Sequence, residues 1–136
     1  MTREEMDALF AEHCAAEAAS DVAGALATLT AGAEHDVVGD PQGVLREPGA
    51  IGERYRVLFD ALSEDKFVNV RRYYGEDFFV DESHWYGKAT GMFVGIPGNN
   101  RPLDFRILHV CEVQDGKISR ENVWLDFAAI VQQLGA

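Results

Sequence analysis

Residues 1–136 predict one α+β domain, with helices first and an antiparallel sheet after them. Three observations carry that expectation. Apolar residues recur at helical spacing in the stretches before residue 62. From residue 66 onward the period becomes two, through "KFVNVRRYY", "DFFVDESHWYGKATGMFVGI", "LDFRILHVCEV" and "ISRENVWLDFAAI". Turn signals then divide that second part: Pro97-Gly98-Asn99-Asn100 before the last two long strands, and the hairpin dipeptide Asp115-Gly116 between them. With 136 residues, 47% of them hydrophobic, the chain can build one sizeable core and is too short for two ordinary domains.

The elements follow in order. Thr2 and Glu5 have capping-box spacing, and Met6, Leu9, Phe10, His13 and Glu17 fall on one stripe, which predicts a helix over residues 3–18. Ser20 is the expected N-cap of a second helix, with Val22, Ala25, Leu26 and Leu29 on its apolar face and Ala31-Gly32 as its stop. A short strand is expected over 34–40, ended by Pro41, which also biases Asp40 toward an extended backbone. Ile51, Tyr55, Leu58, Phe59 and Leu62 then mark a third amphipathic helix, with Glu53, Arg54, Arg56 and Asp60 elsewhere on its circumference. The strands come next, and "FAAIVQQLG" closes the chain as a short helix.

Charge and composition exclude some partners. Twelve Lys and Arg against 23 Asp and Glu leave a net charge of −11, which repels nucleic-acid phosphates and anionic membrane surfaces. No stretch reaches the ~20 apolar residues that span a bilayer, and the N-terminus "MTREEMDALF" lacks the basic and apolar regions of a secretion signal, so a cytoplasmic protein is expected. Cys14 and Cys111 stand far apart in apolar surroundings, as reduced core residues would. No His-x-His or Cys-x-x-Cys spacing suggests a metal, no glycine-rich loop suggests a nucleotide, and no cofactor is expected.

What remains is acid–base chemistry. In "LDFRILHVCEV" the residues Leu103, Phe105, Ile107, His109, Cys111 and Val113 share a face, so His109 points inward among apolar neighbours, as a core histidine or a working one. Asn122, Trp124 and Asp126 share one face of the last strand and Val123, Leu125 and Phe127 the other; the latter set is expected at an interface or under a helix. Asp126 reads either as a site residue or as the N-cap of the terminal helix. "VVGDPQG" gives Asp40 the same two readings, turn residue or site acid. His13 faces the interior or the helix edge, whereas His35, Asp36 and His84 read as structural or rim residues. An Asp at the mouth of an apolar pit gains basicity, and a neutral His beside it can donate to a developing oxyanion.

These residues carry a family resemblance over nearly the whole chain. It is to the nuclear transport factor 2-like superfamily, whose curved antiparallel sheet and helices enclose a conical pocket, a cystatin-like α+β barrel. "VVGDPQGVLREPGAIGERYRVLFDAL" resembles the ketosteroid isomerase segment with Asp-Pro after a short strand and an "AI-x-x-x-Tyr" helix. That resemblance implies Asp40 as general base, His109 where those enzymes keep a protonated Asp, and about His13 where they keep a tyrosine. "GKATGMFVGIPGNNRPLDFRILHVCEVQDGKISRENVWLDFAAIVQQLG" is similar to SnoaL-type polyketide cyclases, with "G-x-F-x-G-x-P", "DGKI", an Asp and "QLG". There a last-strand Asp works with a His on the preceding strand, roles that fall on Asp126 and His109.

The resemblance thus implies an isomerase or cyclase that enolises a small apolar carbonyl compound, polyketide- or steroid-like, without a cofactor. Asp40, His109 and Asp126 would be catalytic, and His13, Tyr55, Trp85 and Trp124 would line the pocket or orient those groups. It also implies a homodimer. Limonene-type epoxide hydrolysis would need Asp104 or Arg106 to share the cavity with Asp126, a dehydratase is a further possibility in the same superfamily, and a non-enzymatic ligand-binding or assembly domain is the remaining alternative.

Overall fold

The computed structural model describes residues 1–135. Helix α1 (Arg3–Ala18) begins at the predicted capping box: Thr2 Oγ1 accepts from Glu5 N at 3.1 Å and Glu5 Oε1 from Thr2 N at 2.8 Å. Its buried stripe is Met6, Leu9, Phe10, His13 and Ala16. The second helix is shorter than its pattern. Helix α2 (Val22–Ala27) is capped by Asp21, not Ser20, because Ser20 takes a left-handed φ of 53° and the Asp21 side chain reaches Gly24 N. Leu29 already belongs to strand β1 (Leu29–Val37).

Strand β1 stops at Val37, three residues before the predicted end. Asp40 N–H turns back to Val37 O, and Gly39 has φ +95°, where a Cβ would lie 2.7 Å from the Phe127 ring. Only glycine lets this turn sit against Phe127. After β2 (Val44–Leu45), helix α3 (Pro48–Ala61) starts with proline in its first turn and runs directly into β3 (Leu62–Tyr74).

The predicted long strand 77–96 is two pieces. Strand β4 (Phe78–Ala89) ends, and β5 (Met92–Phe93) and β6 (Ile96–Pro97) form a separate ribbon about Val94 and Gly95, both at positive φ. Strands β7 (Arg101–Gln114) and β8 (Lys117–Leu125) form the expected hairpin at Asp115-Gly116, and α4 (Phe127–Gly135) ends the described chain.

The main sheet has the order β2-β1-β8-β7-β4-β3. It is curved and mixed, not wholly antiparallel, since β1 runs parallel to β8. The sheet does not close on itself, β2 and β3 being its edges, and helices cover its inner face, in keeping with the α+β arrangement that the resemblance implies. Bulges in β3, between Glu64 and Lys66 and between Asn69 and Arg71, bend it over the inner face. Two apolar clusters fill that face. One joins Met6, Phe10, Tyr55, Phe79 and Ile118; the other joins Trp85, Leu103, Phe105, Ile130 and Leu134, and Phe67 packs against both.

Candidate active site

Between the inner face of the sheet and helices α1 and α3 lies a mostly apolar cavity of about 1030 Å³. Phe59, Leu58, Phe67, Trp85, Phe105 and Leu125 give it apolar walls, and Met92 to Gly95 of the small ribbon contribute to its rim. Such a volume suits an organic molecule of drug-like size.

Its polar part is assembled around one carboxylate that the sequence analysis passed over. Glu121 of β8 is 1% exposed. Its Oε1 accepts from the Tyr55 hydroxyl of α3 and lies 3.3 Å from His35 Nε2 of β1. Its Oε2 lies 3.3 Å from His13 Nε2 of α1 and 3.6 Å from His109 Nε2 of β7. Burial by itself would raise the Glu121 carboxyl, but the charge of His13 and the surrounding N–H groups outweigh it and hold the carboxyl well below its ordinary range.

The donor pattern fixes the proton on each ring. Arg54 Nη1 can only donate, and it lies 3.2 Å from His35 Nδ1, so His35 carries its proton on Nε2, toward Glu121. Thr28 gives its hydroxyl proton to Ala25 O at 2.6 Å, so at 2.7 Å it accepts from His13 Nδ1. The opposite nitrogen, His13 Nε2, faces Glu17 Oε1 at 3.1 Å as well as Glu121. Burial opposes a charge on His13, yet these two carboxylates push its pKa well above the ordinary histidine value. His109 Nε2 faces a carboxylate and so bears the proton, whereas its buried Nδ1 has no hydrogen-bond partner among the described residues.

Arg54, expected away from the apolar stripe of its helix, is 7% exposed. It donates to His35 O at 2.9 Å and Gly43 O at 2.5 Å, and its Nε lies 3.2 Å from Asp40 Oδ2. It thereby ties α3 to β1 and to the turn after it.

The predicted residues divide accordingly. Asp40, Tyr55, Trp85 and His109 line the one cavity; His13 stands behind its wall, touching Glu17 and Glu121, which do line it. Both Asp40 oxygens are engaged, Oδ2 with Arg54 and Oδ1 with Gln42 N at 2.9 Å. Asp126 and Trp124 are not brought to the cavity. Asp126 Oδ1 accepts from Ala129 N at 3.2 Å as the cap of α4, and Trp124 is 50% exposed, donating to Asn122 Oδ1 at 2.6 Å. Val123, Leu125 and Phe127 line the cavity rather than an outer interface, and Leu125 and Phe127 pack against the cluster holding Ile130 and Leu134 of α4. Asp104 and Arg106 are exposed on the opposite face, Asp104 pairing with His84 at 2.7 Å, which removes the placement that epoxide hydrolysis requires. Glu64, on β3, also lines the cavity; burial and then the charge of Glu17 raise its carboxyl above the ordinary value.

Comparison with known proteins adds four findings. Residues 8–134 match the family of SnoaL-like polyketide cyclases. The nogalonic acid methyl ester cyclase of Streptomyces nogalater is 36% identical over 50 residues, a match that spans 37% of each chain and so about a third of that relative's length. Among solved structures, TsrD from Streptomyces laurentii superposes with a TM-score of 0.83 at 20% identity, covering 100% of this chain and 98% of that one. A Catenulispora acidiphila protein with a ketosteroid isomerase-like fold, in complex with trimethylamine, gives 0.75 at 12% identity, covering 93% and 92%. These two likenesses concern the fold.

Proposed function

Because the chain belongs to the SnoaL-like polyketide cyclase family, we propose that it is an acid–base cyclase or isomerase that enolises a small, largely apolar, carbonyl-bearing molecule of polyketide type. The observation that carries this reading is His109 at the polar part of the cavity. Its Nε2 faces the Glu121 carboxylate at 3.6 Å, and its buried Nδ1 is without a hydrogen-bond partner among the described residues.

In this reading His109 Nδ1 removes a proton from the carbon beside a substrate carbonyl. The imidazolium that forms is stabilised by Glu121 at 3.6 Å. The enolate then attacks a second carbonyl of the same molecule, closing a ring, or is reprotonated by His109 at a different carbon, giving an isomer. Glu64, whose carboxyl is raised by burial and by the charge of Glu17, also faces the cavity. Tyr55 and His35 hold Glu121, and His13 holds it from behind. Asp40, clamped by Arg54, shapes the mouth, while Trp85 lines an apolar wall. The role differs from that implied by resemblance, where Asp40 is the base and His109 the oxyanion donor. The engaged oxygens of Asp40 favour the exchange of roles.

A cytoplasmic setting, consistent with two free cysteines, and self-association through the outer face of the sheet complete the proposal. Among the described residues, no helix is long and apolar enough to cross a membrane.

The test is solvent deuterium exchange into a panel of β-dicarbonyl polyketide mimics and enones, followed by mass spectrometry. His109→Ala should slow exchange by about 100-fold or more, the usual contribution of a positioned base. Asp40→Asn should mainly raise KM. Exchange that survives in His109→Ala but disappears in Asp40→Asn or Asp126→Asn would overturn the assignment of the base. No exchange into any of the panel by the wild type would favour a binding domain.

A further inference from the structure

Glu17, Glu121 and His13 come from α1 and β8, yet their ligand atoms all lie within 4.8 Å of one another. The detail of that cluster is unusual. The far side of each buried member is already satisfied: His13 Nδ1 by Thr28, and Glu121 Oε1 by Tyr55 and His35. The near atoms are not. His13 Nε2 and Glu121 Oε2 are both buried, both without a properly directed hydrogen bond among the described residues, and they face each other at 3.3 Å. Glu17 Oε1 joins them at 3.1 Å from the same nitrogen.

A proton lies on a line between two atoms, whereas a metal ion sits off those lines, at the centre of the polygon its ligands make. Ligand atoms held ~2.0–2.2 Å from one tetrahedral ion are separated from each other by distances of the order seen here. The partners of the ligands are also those a metal site uses. A ligating imidazole donates its other N–H to an oxygen, which fixes the tautomer, as Thr28 does for His13, and a ligating carboxylate is itself hydrogen-bonded, as Glu121 is. Two carboxylates also leave a negative charge that a dication cancels.

We propose that His13 Nε2, Glu17 Oε1 and Glu121 Oε2 form a site for one divalent first-row transition ion of the Zn2+ kind, at the polar part of the cavity. One imidazole and two carboxylates suit such an ion better than the oxygen-only sets that favour Ca2+ or Mg2+. Glu17 and Glu121 line the cavity, so a fourth position is open to a substrate carbonyl or carboxylate oxygen. The site goes beyond the acid–base reading; it shares Glu121 with that reading but not His109, whose Nε2 lies 3.6 Å from Glu121 Oε2.

The experiment uses the full chain, stripped with chelator and dialysed, then titrated with ZnCl2 by calorimetry and with Co2+ by visible absorption. One Zn2+ per chain is expected, and Co2+ should show the intense ligand-field bands of a four-coordinate site. Glu17 is partly exposed near the end of α1, so Glu17→Gln folds; it should weaken binding by about 10-fold or more. Circular dichroism checks that fold, and His13→Asn provides the second ligand variant. His84→Ala, which removes the exposed His84–Asp104 pair, should leave binding unchanged. No binding by the folded wild type, binding insensitive to Glu17→Gln, or binding lost in His84→Ala would each overturn the site. Because the deuterium-exchange assay reads His109, its failure and the failure of metal binding are separate results.

Discussion

Alternation along one strand was enough to place His109 in the interior, with Phe105, Ile107 and Cys111 on the same face. It could not show what His109 meets, because that depends on the register of the neighbouring strand. An unbulged hairpin closing at Asp115-Gly116 puts Asn122 opposite His109. The β7–β8 pairing instead shifts between Glu112 and Val113, leaving Ser119 as an extra residue, and Val123 lies opposite His109 with Glu121 opposite Cys111. One inserted residue turns every later side chain over. That is why Asp126 and Trp124 leave the expected site and Glu121 enters it. Glu64 carries a residue-scale prediction. Its carboxyl is raised in the folded chain by burial and by Glu17, so its ionised form opposes folding above that pKa. Glu64→Gln should therefore stabilise the protein at pH 7, by no more than about 0.5 kcal/mol after allowing for its partial exposure. The gain should shrink as the pH falls through the ordinary glutamate range, where both states take up the proton. A melting temperature that rises equally at pH 7 and in that lower range would show that packing, not charge, is responsible.

The elements differ in how much of their placement is local. Helix α1 is specified by its own capping box and stripe, and both reappear in the structure. The boundary between α2 and β1 is not, since Leu29 fits a helical stripe but pairs with Ile118 of β8, a partner far along the chain. Nor could periodicity separate β4 from the small ribbon, because two positive-φ residues at Val94 and Gly95 turn the chain without a proline or an Asn-Gly signal. For α4 the alternative that the sequence left open, Asp126 as N-cap, matches the observed bond to Ala129 N. Asp126→Ala should then lower stability by about 1 kcal/mol, read as a fall in denaturation midpoint, while Asp126→Asn, which keeps a capping oxygen, should cost much less. Equal losses in the two variants would mean that the charge, not the cap, is what α4 needs.

At the scale of the molecule, the sheet has two unlike faces. Helices α1, α3 and α4 bury their apolar residues against the inner face. The outer face carries Trp124 beside Leu108, Val110 beside Val80, and Val68 and Tyr73 toward the β3 edge, with Trp124, Val68 and Tyr73 50%, 43% and 54% exposed. An apolar patch on an otherwise acidic surface is costly to leave in water, and a second copy of the same patch is the cover that two-fold symmetry supplies. The net charge of −11 works against the proposed association, a repulsion that salt screens. Sedimentation equilibrium of the wild type should therefore give a dimer, tighter in 0.5 M than in ~0.05 M NaCl in the sense expected for screened repulsion. Trp124→Glu adds charge to the patch at a residue that does not line the cavity, and should yield a folded monomer that still binds pocket ligands. A wild type that sediments as a monomer at high protein concentration, or a Trp124→Glu variant that remains dimeric, would place the self-association elsewhere or remove it.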